Sequence, residues 1–252
     1  MMYSRLFLCK RGGSSGAGSH GGGGSAASAT PVDAVRGVPQ SQIDQLRGTR
    51  DHLDYHELTS KVIQDDYARV GITISSAEAQ KIRQAITRYT GDSYIDMRKA
   101  YSLERAGRTH DLSSYQKGLL ADYKMCMEYC KVAPTYQPSK NQTFVHRGIK
   151  NDGSAYAKKM MSLKVGDTWN VDGMPTSFTT RLQTAKNFAD NGLNKGLVVH
   201  LPIKNLKNSP SIRGASVFEH EFEVFVADYS GWKVSKVTNE DGAKNIYFDY
   251  AD

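Results

Sequence analysis

The sequence has few cysteines, no long apolar run and no block of like charge. Its 252 residues include only three cysteines, Cys9, Cys126 and Cys130, so we expect free thiols in a reducing compartment instead of a disulfide framework. Cys126 and Cys130 lie one helical turn apart with no second pair to complete a zinc site, and no metal is expected. No apolar run approaches the ~20 residues of a membrane span. The patch Leu6 to Leu8 is also too short for the core of a cleavable signal peptide.

Positive charge is in excess but scattered along the chain. Lysine and arginine total 33 against 26 acidic residues, which gives a formal net charge of +7. No basic run marks a nucleic-acid-binding arm, so neither nucleic acid nor a membrane is expected as a partner. A weak preference for acidic partners or surfaces follows.

Residues 1 to about 45 are rich in Gly, Ser, Ala and Thr. Such a segment buries too little apolar surface to offset the entropy of ordering, so we expect it to be disordered. It contains matches to the dinucleotide-binding fingerprint at 16–21 and to the nucleophile elbow at 12–16. Neither has the strand–turn–helix context that these motifs need, and both are expected by chance in a Gly/Ser tract.

Helical spacing of apolar residues extends over about 50–135. Ser75 followed by Glu78 predicts a capping box, and Gly91 predicts the end of the same helix. Further helices follow, the last of them closed by Pro134. The sequence therefore predicts a helical lobe in the first half of a single domain that begins near residue 46.

From about residue 140 to 252 the pattern changes to short apolar runs bounded by turn residues, which is typical of strands. The predicted strands lie at 143–149, 165–169, 196–202, 221–226 and 245–250. Helices are predicted between them near 155–163 and 185–189. This order predicts an α+β fold in which an N-terminal helical lobe packs on a mostly antiparallel two-sheet core.

Three glutamates precede the apolar run near the C-terminus. Glu219, Glu221 and Glu223 are spaced by two, so in a strand their carboxylates would share one face. Like charges in that arrangement repel, and stability alone does not explain them. Two interpretations stay open: a solvated strand edge blunted by charge, or a pair of catalytic carboxylates at the start of a strand.

Two earlier positions carry polar groups that suit ligand binding. Arg147 and Gly148 come at the end of a predicted strand, where a guanidinium beside a glycine suits a phosphate or carboxamide, although a surface arginine before a turn glycine has the same pattern. Ser177 and Thr179 precede a predicted helix. Their hydroxyls can cap that helix or hold a carboxylate by hydrogen bonds.

The order of these pieces resembles that of a known enzyme family. Arg147-Gly148, then Ser177-Phe178-Thr179, then Glu221-Phe222-Glu223 is similar to the Arg, Ser-x-Ser/Thr, Glu-x-Glu series of mono-ADP-ribosyltransferases, on the side of cholera toxin, C2 toxin and iota toxin. Residues 89–94, Tyr-Thr-Gly-x-x-Tyr, resemble a helix junction that borders the NAD cleft in bacterial members. Phe178 departs from the usual Ser-Thr-Ser block. The resemblance covers about 70–250 and implies NAD as the substrate that is cleaved.

The resemblance also implies a role for each residue. Glu223, which an apolar strand follows at once, is the catalytic glutamate that stabilises positive charge on the ribose. Glu221 positions or deprotonates the acceptor. Ser177 orients Glu223, Arg147 holds the phosphate side of NAD, and the Gly148 backbone contacts the nicotinamide amide.

Other contacts are implied in the same way. Further NAD contacts are expected from Tyr94, Phe178 and Thr179. Contacts with the protein substrate are expected from Phe218, Glu219 and Glu221, although ordinary packing also accounts for Phe218.

The resemblance implies transfer of ADP-ribose from NAD to an Arg or Thr side chain of a target protein, with release of nicotinamide. The Glu-x-Glu pair most often accompanies arginine modification, but it also occurs in effectors that modify threonine, including one group that acts on ubiquitin. We expect a bacterial effector delivered into host cytosol, with a host protein such as ubiquitin or a signalling or cytoskeletal protein as partner. An NAD glycohydrolase and a catalytically silent binding module are the alternatives.

Overall fold

The computed structural model describes residues 37–51, 57–138, 141–169, 176–190, 192, 195–206, 208–226 and 232–250. Most of the segment predicted to be disordered therefore lies outside the described residues. Its last part is described, and Gln40–Leu46 forms a helix with Ile43 buried. This helix crosses the domain boundary predicted near residue 45, and that boundary stays a prediction.

The N-terminal half of the described chain forms a helical lobe. Its helices are α1 (Gln40–Leu46), α2 (Ser60–Arg69), α3 (Ser76–Thr90), α4 (Tyr94–Arg105) and α5 (Ser114–Val132). The predicted capping box is present at the start of α3, where the Ser75 N–H donates to the Glu78 carboxylate at 2.7 Å and the Glu78 N–H donates to the Ser75 hydroxyl at 3.2 Å. Gly91 caps the other end, as predicted. The lobe packs around its own buried apolar cluster, which includes Tyr89 and reaches Phe225 in the sheet.

The C-terminal half carries the strands. The structure contains β1 (Thr49–Asp51), β2 (Thr135–Gln137), β3 (Phe144–Ile149), β4 (Thr168–Trp169), β5 (Thr176–Thr179), β6 (Leu197–Pro202), β7 (Glu223–Val226), β8 (Trp232–Glu240) and β9 (Ala243–Tyr250). Helices α6 (Ala155–Ser162) and α7 (Leu182–Ala189) lie between strands, near the two predicted positions.

These strands form two sheets in the described part of the chain. β1 and β2 make a small parallel pair, and the other seven strands form one sheet in the order β4-β8-β9-β6-β3-β5-β7. Within the large sheet, β6 and β9 are parallel and the remaining neighbours are antiparallel. The predicted α+β class, with a helical lobe before a mostly antiparallel core, is confirmed.

The position of β5 between β3 and β7 decides where the site forms. Thr179 pairs with Glu223 and Ser177 pairs with Phe225 across the β5–β7 ladder. Cross-strand partners and residues two apart share a sheet face, so all four side chains lie on one face. Phe225 packs on that face against Tyr89 of α3, with ring centroids 4.7 Å apart. The helical lobe therefore covers the hydroxyls and the glutamate.

One prediction about the glutamates is wrong. The strand predicted from Glu221 begins at Glu223, because Glu219–Glu221 forms a 3-10 turn and Phe222 adopts a left-handed φ of 52°. The three carboxylates therefore do not share a strand face. Because the backbone turns at Phe222, Glu221 and Glu223 have different backbone conformations. Their carboxylates therefore do not form a row of like charges along one strand face.

Candidate active site

Glu223 is a buried carboxylate at the first position of β7. Its side chain is 2% exposed, and the Ser216 hydroxyl donates to its Oε2 at 2.8 Å. Its Oε1 has no hydrogen bond of ordinary geometry within the described part of the chain. Burial raises the pKa of Glu223 to about 7, while the hydroxyls of Ser177 and Ser216 and the charge of Arg147 act to lower it. The carboxyl group is therefore balanced between its neutral and ionised forms near neutral pH.

Arg147 lies on β3 and is held against β5. Its guanidinium donates to the Ser177 carbonyl at 2.9 Å and also to the Thr176 hydroxyl. The side chain is 4% exposed, and its charge acts on the neighbouring Glu223. The Ser177 hydroxyl lies 3.5 Å from the Tyr89 hydroxyl of α3. A guanidinium, a hydroxyl and a carboxylate that are distant in sequence thus meet in one buried cluster.

Glu221 closes the 3-10 turn beside Glu223. Its side chain is 5% exposed, and its Oε2 is buried without a hydrogen-bond partner among the described residues. Burial, and secondly the negative charge of Glu223, raises the pKa of Glu221 to about 8. Thr179 fixes the backbone here, because its hydroxyl donates to the Glu221 carbonyl at 2.6 Å and accepts from the Arg181 N–H at 3.0 Å. Thr179, the third residue of the Ser177-Phe178-Thr179 motif, therefore holds in place the turn that carries Glu221.

The backbone strain at Phe222 coincides with an aromatic contact that sequence analysis missed. The guanidinium carbon of Arg181 lies 3.5 Å from the centroid of the Phe222 ring, and that of Arg213 lies 4.0 Å from it. Cation–π contacts of this kind stabilise the ring and help to offset the cost of a left-handed non-glycine residue. No local pattern connects these three positions in the sequence.

A cleft of about 660 Å³ separates α4 from the strand-rich half and reaches Arg147. Tyr94, one of the predicted NAD contacts, lines it together with Arg98 and Lys99 of the same helix. Tyr156 of α6 adds a second aromatic ring to the lining, and Asp152 adds a carboxylate. Arg98 and Lys99 were not among the predicted site residues, although Arg98 follows the helix junction that carries the family resemblance. Tyr156 gave no sequence signal.

A larger cavity of about 890 Å³ lies at β2, β3, β6, β8 and β9. None of the predicted site residues lines it. The predicted site residues therefore lie away from this cavity. Arg147, Ser177 and Glu223 line a separate small pocket, and Arg147 is the residue that this pocket shares with the cleft of about 660 Å³.

The packing of α7 on β3 explains why residue 148 is a glycine. A Cβ atom at this position would lie 2.0 Å from the Ala185 carbonyl oxygen and 2.7 Å from the Ala189 nitrogen. Glycine thus allows α7 to pack directly on β3. A contact between its backbone and NAD stays a prediction.

The remaining predicted residues fall into two groups. Phe178 is buried in the strand-rich core, with its ring centroid 6.4 Å from that of Trp169, and its side chain points to the face opposite Ser177. Phe218 is half-buried and Glu219 is exposed, on the turn before Glu221. The Glu219 carbonyl accepts from the Arg213 Nε–H at 3.1 Å. Phe218 and Glu219 thus lie immediately before Glu221 in the chain, and their contacts with a protein substrate stay predictions.

Two further observations concern metals and membranes. Within the described ranges, no group of three or more His, Cys, Asp or Glu side chains is arranged to hold a metal ion. Cys126 and Cys130 are buried free thiols, and burial raises the pKa of both. The helices that the structure describes include none with the length and apolarity needed to cross a bilayer.

The helical lobe followed by a mixed, mostly antiparallel sheet is similar in fold to an ADP-ribosyltransferase of known structure. The chain matches the ADP-ribosyltransferase Vis of Vibrio splendidus, solved with an inhibitor, at 17% identity and a TM-score of 0.50, over 85% of this chain and 90% of that one. It is also similar to exoenzyme S from Pseudomonas aeruginosa, solved with human 14-3-3 protein beta and carba-NAD, at 16% identity and a TM-score of 0.49, over 84% and 88% of the two chains. HopU1 of Pseudomonas syringae matches at 16% identity and a TM-score of 0.46, over 84% and 96%. No protein-family model and no curated protein matches the chain.

Proposed function

We propose that this protein is an NAD-dependent mono-ADP-ribosyltransferase that moves ADP-ribose to an Arg or Thr side chain of a target protein and releases nicotinamide. The observation that carries the proposal is the convergence of Arg147, Ser177 and Glu223 on β3, β5 and β7. Arg147 donates to the Ser177 carbonyl at 2.9 Å, and both residues act on the buried Glu223 carboxylate. The shared fold supports the proposal but does not by itself define an activity.

The chemistry of the cleft fits NAD. Arg98, Lys99 and Arg147 line the cleft together with Asp152, and the excess of cationic groups suits a diphosphate. Glu221 and Glu223 each have one buried carboxylate oxygen without a hydrogen bond to the described residues. Unsatisfied buried acceptors are costly. Glu223 lines the small pocket that shares Arg147 with the cleft, and we propose that a ribose hydroxyl donates to its carboxylate there. A volume of about 660 Å³ also lies within the range of ~300–1,000 Å³ that is usual for ligand clefts.

The role of Glu223 follows from its charge. NAD supplies a nicotinamide–ribose bond whose cleavage develops positive charge on the sugar, as in glycoside cleavage. An ionised Glu223 stabilises that charge more than it stabilises the ground state, and this difference accelerates the reaction. Ser177 and Arg147 favour the ionised form against the effect of burial.

Glu221 suits a proton acceptor for the incoming side chain. Its pKa is raised to about 8, which makes the ionised form a stronger base than an ordinary carboxylate. Thr179 holds its backbone at 2.6 Å, so the carboxylate is fixed beside the cluster. A water molecule in place of the acceptor side chain would give NAD hydrolysis instead of transfer.

The proposal includes a protein partner and a place of action. The motif series resembles that of bacterial toxins and effectors, so the target is proposed to be a host cytosolic protein, such as ubiquitin or a signalling or cytoskeletal protein. The protein is proposed to reach it as a secreted effector. The excess of positive charge favours association with an acidic surface.

Labelled NAD, with and without a host lysate, tests the activity. Label on a lysate protein is expected, and Glu223→Gln should reduce both transfer and NAD hydrolysis by more than about 100-fold if charge stabilisation dominates. Glu240→Gln is the matched control, because it changes an exposed carboxylate outside the candidate site. Free ADP-ribose alone would indicate a glycohydrolase, and no NAD consumption would indicate a binding module. Mass spectrometry of the labelled protein identifies the acceptor residue.

A further inference from the structure

The end of α3 holds the chain segment that precedes the glutamates. The Thr87 hydroxyl lies 3.0 Å from the Ala215 carbonyl and 3.0 Å from the Arg83 carbonyl of its own helix, and its proton is shared between them. The Val217 N–H donates to the Thr90 hydroxyl at 3.0 Å. The contacts with Ala215 and Val217 flank Ser216 on both sides. Two threonine hydroxyls, one helical turn apart, thus fix the backbone around a single serine.

The Ser216 hydroxyl makes two hydrogen bonds in this arrangement. It accepts from the Phe218 N–H at 3.0 Å and donates to Glu223 Oε2 at 2.8 Å. The serine is buried, so water does not replace either partner freely. Because the Phe218 amide occupies a lone pair, the hydroxyl hydrogen is directed at the carboxylate.

We infer that Ser216 is a positioning residue for Glu223, and that Thr87 and Thr90 of α3 hold Ser216 in place. The helical lobe would then orient the catalytic carboxylate from outside the strand-rich half. This inference rests on the proposed function, since it concerns the glutamate that the reaction uses.

The groups that face Glu223 determine the expected effect. Arg147 from β3 and the Ser177 hydroxyl from β5 favour its ionised form. Glu221 from the 3-10 turn is close enough for the two charges to interact, and like charge favours the neutral form. Tyr89 from α3 is buried beside the cluster, and burial raises its pKa, so it contributes no charge near neutral pH. Burial favours the neutral form of Glu223, and without the Ser216 hydroxyl fewer groups counteract that effect. The pKa of Glu223 is therefore expected to rise in the variant.

Ser216→Ala and Thr90→Val test the inference. In both variants the acid limb of the pH profile for NAD cleavage should move to higher pH. At neutral pH, kcat should fall about tenfold with KM for NAD unchanged, because a misplaced carboxylate affects the chemical step. Ser216→Thr keeps the hydroxyl and should restore the profile. Ser75→Ala is the matched control: it removes a capping hydroxyl at the opposite end of α3 and should leave the profile in place.

A second readout does not depend on turnover. Glutamate labelled with ¹³C at the side-chain carboxyl reports each titration by NMR, and the Glu223 signal is the one lost in Glu223→Gln. Ser216→Ala should raise the titration midpoint of this signal relative to the wild type. An unchanged midpoint, or the same shift in Ser75→Ala, overturns the inference. If the wild type does not cleave NAD, the proposed function is wrong, while the NMR titration still decides whether Ser216 controls the carboxylate.

Discussion

Replacing Glu223 with glutamine should stabilise the fold at neutral and alkaline pH. Burial raises the pKa of Glu223 from an ordinary 4.5 to about 7, so between these values the folded protein holds a proton that the unfolded chain has released. The free energy of unfolding therefore falls as pH rises through this window. At about 1.36 kcal/mol per unit of pKa difference, the loss is about 3 kcal/mol. An uncharged glutamine avoids it.

Urea and thermal unfolding of the wild type and Glu223→Gln across this pH window measure the effect. The two proteins should be nearly equal in stability below pH 4.5, and the variant should be more stable by about 3 kcal/mol at about pH 8. For a domain of this size, that difference corresponds to about 6–12 °C in Tm. Removal of the Glu223 charge also relieves Glu221, which adds to the gain at alkaline pH.

Glu240→Gln is again the control, because the exposed Glu240 side chain loses little solvation on folding. Its stability difference from the wild type should not vary with pH. A Glu223→Gln variant whose difference from the wild type is constant across the window, or which is less stable at alkaline pH, would refute the reasoning. Loss of activity together with a gain in stability in one variant would mark Glu223 as a functional carboxylate that the fold tolerates at a cost.

Three further substitutions probe the rest of the site. Glu221→Gln should reduce transfer by more than about 100-fold while NAD hydrolysis persists; parallel loss of both in labelled-NAD assays would contradict its role as acceptor base. Arg147→Lys should weaken NAD binding about tenfold, since an ammonium lacks the planar fork of a guanidinium, and unchanged affinity by titration calorimetry would count against the phosphate contact. Gly148→Ala should destabilise the fold by more than about 3 kcal/mol, because its Cβ would lie 2.0 Å from the Ala185 carbonyl oxygen. Gly118→Ala, in an open helical position, should instead stabilise by up to about 1 kcal/mol in urea unfolding.

Local sequence signals predicted the helical lobe well. Ser75 and Glu78 form their capping box within four residues of chain, and Gly91 ends the same helix. These contacts join neighbours in sequence, so the residue types alone specify them. The strand-rich half was predicted for a similar reason, because short apolar runs with turn residues between them mark strands such as β6 and β9.

The order of the motifs also indicated that Arg147, Ser177 and Glu223 lie close together, but not the backbone conformation that brings them there. Arg147, Ser177 and Glu223 were predicted from a resemblance in order and type. Sequence spacing predicted one strand through Glu221 and Glu223, whereas the backbone turns at Phe222 with φ of 52°. The alternation of apolar and polar residues predicts a regular strand. It does not predict that the guanidinium groups of Arg181 and Arg213 contact the Phe222 ring.

The sequence by itself predicted the helices after residue 50 and five of the nine described strands, β3, β4, β6, β7 and β9. The three motif residues came from a resemblance in order and type, and their roles stay predictions. Only the tertiary structure decided that β5 lies between β3 and β7, that Arg98 and Lys99 line the same cleft as Arg147, and that Ser216 donates to Glu223. The physical reason is that these contacts join side chains from separate elements. Their partners follow from how the elements pack, and local propensity does not encode that packing.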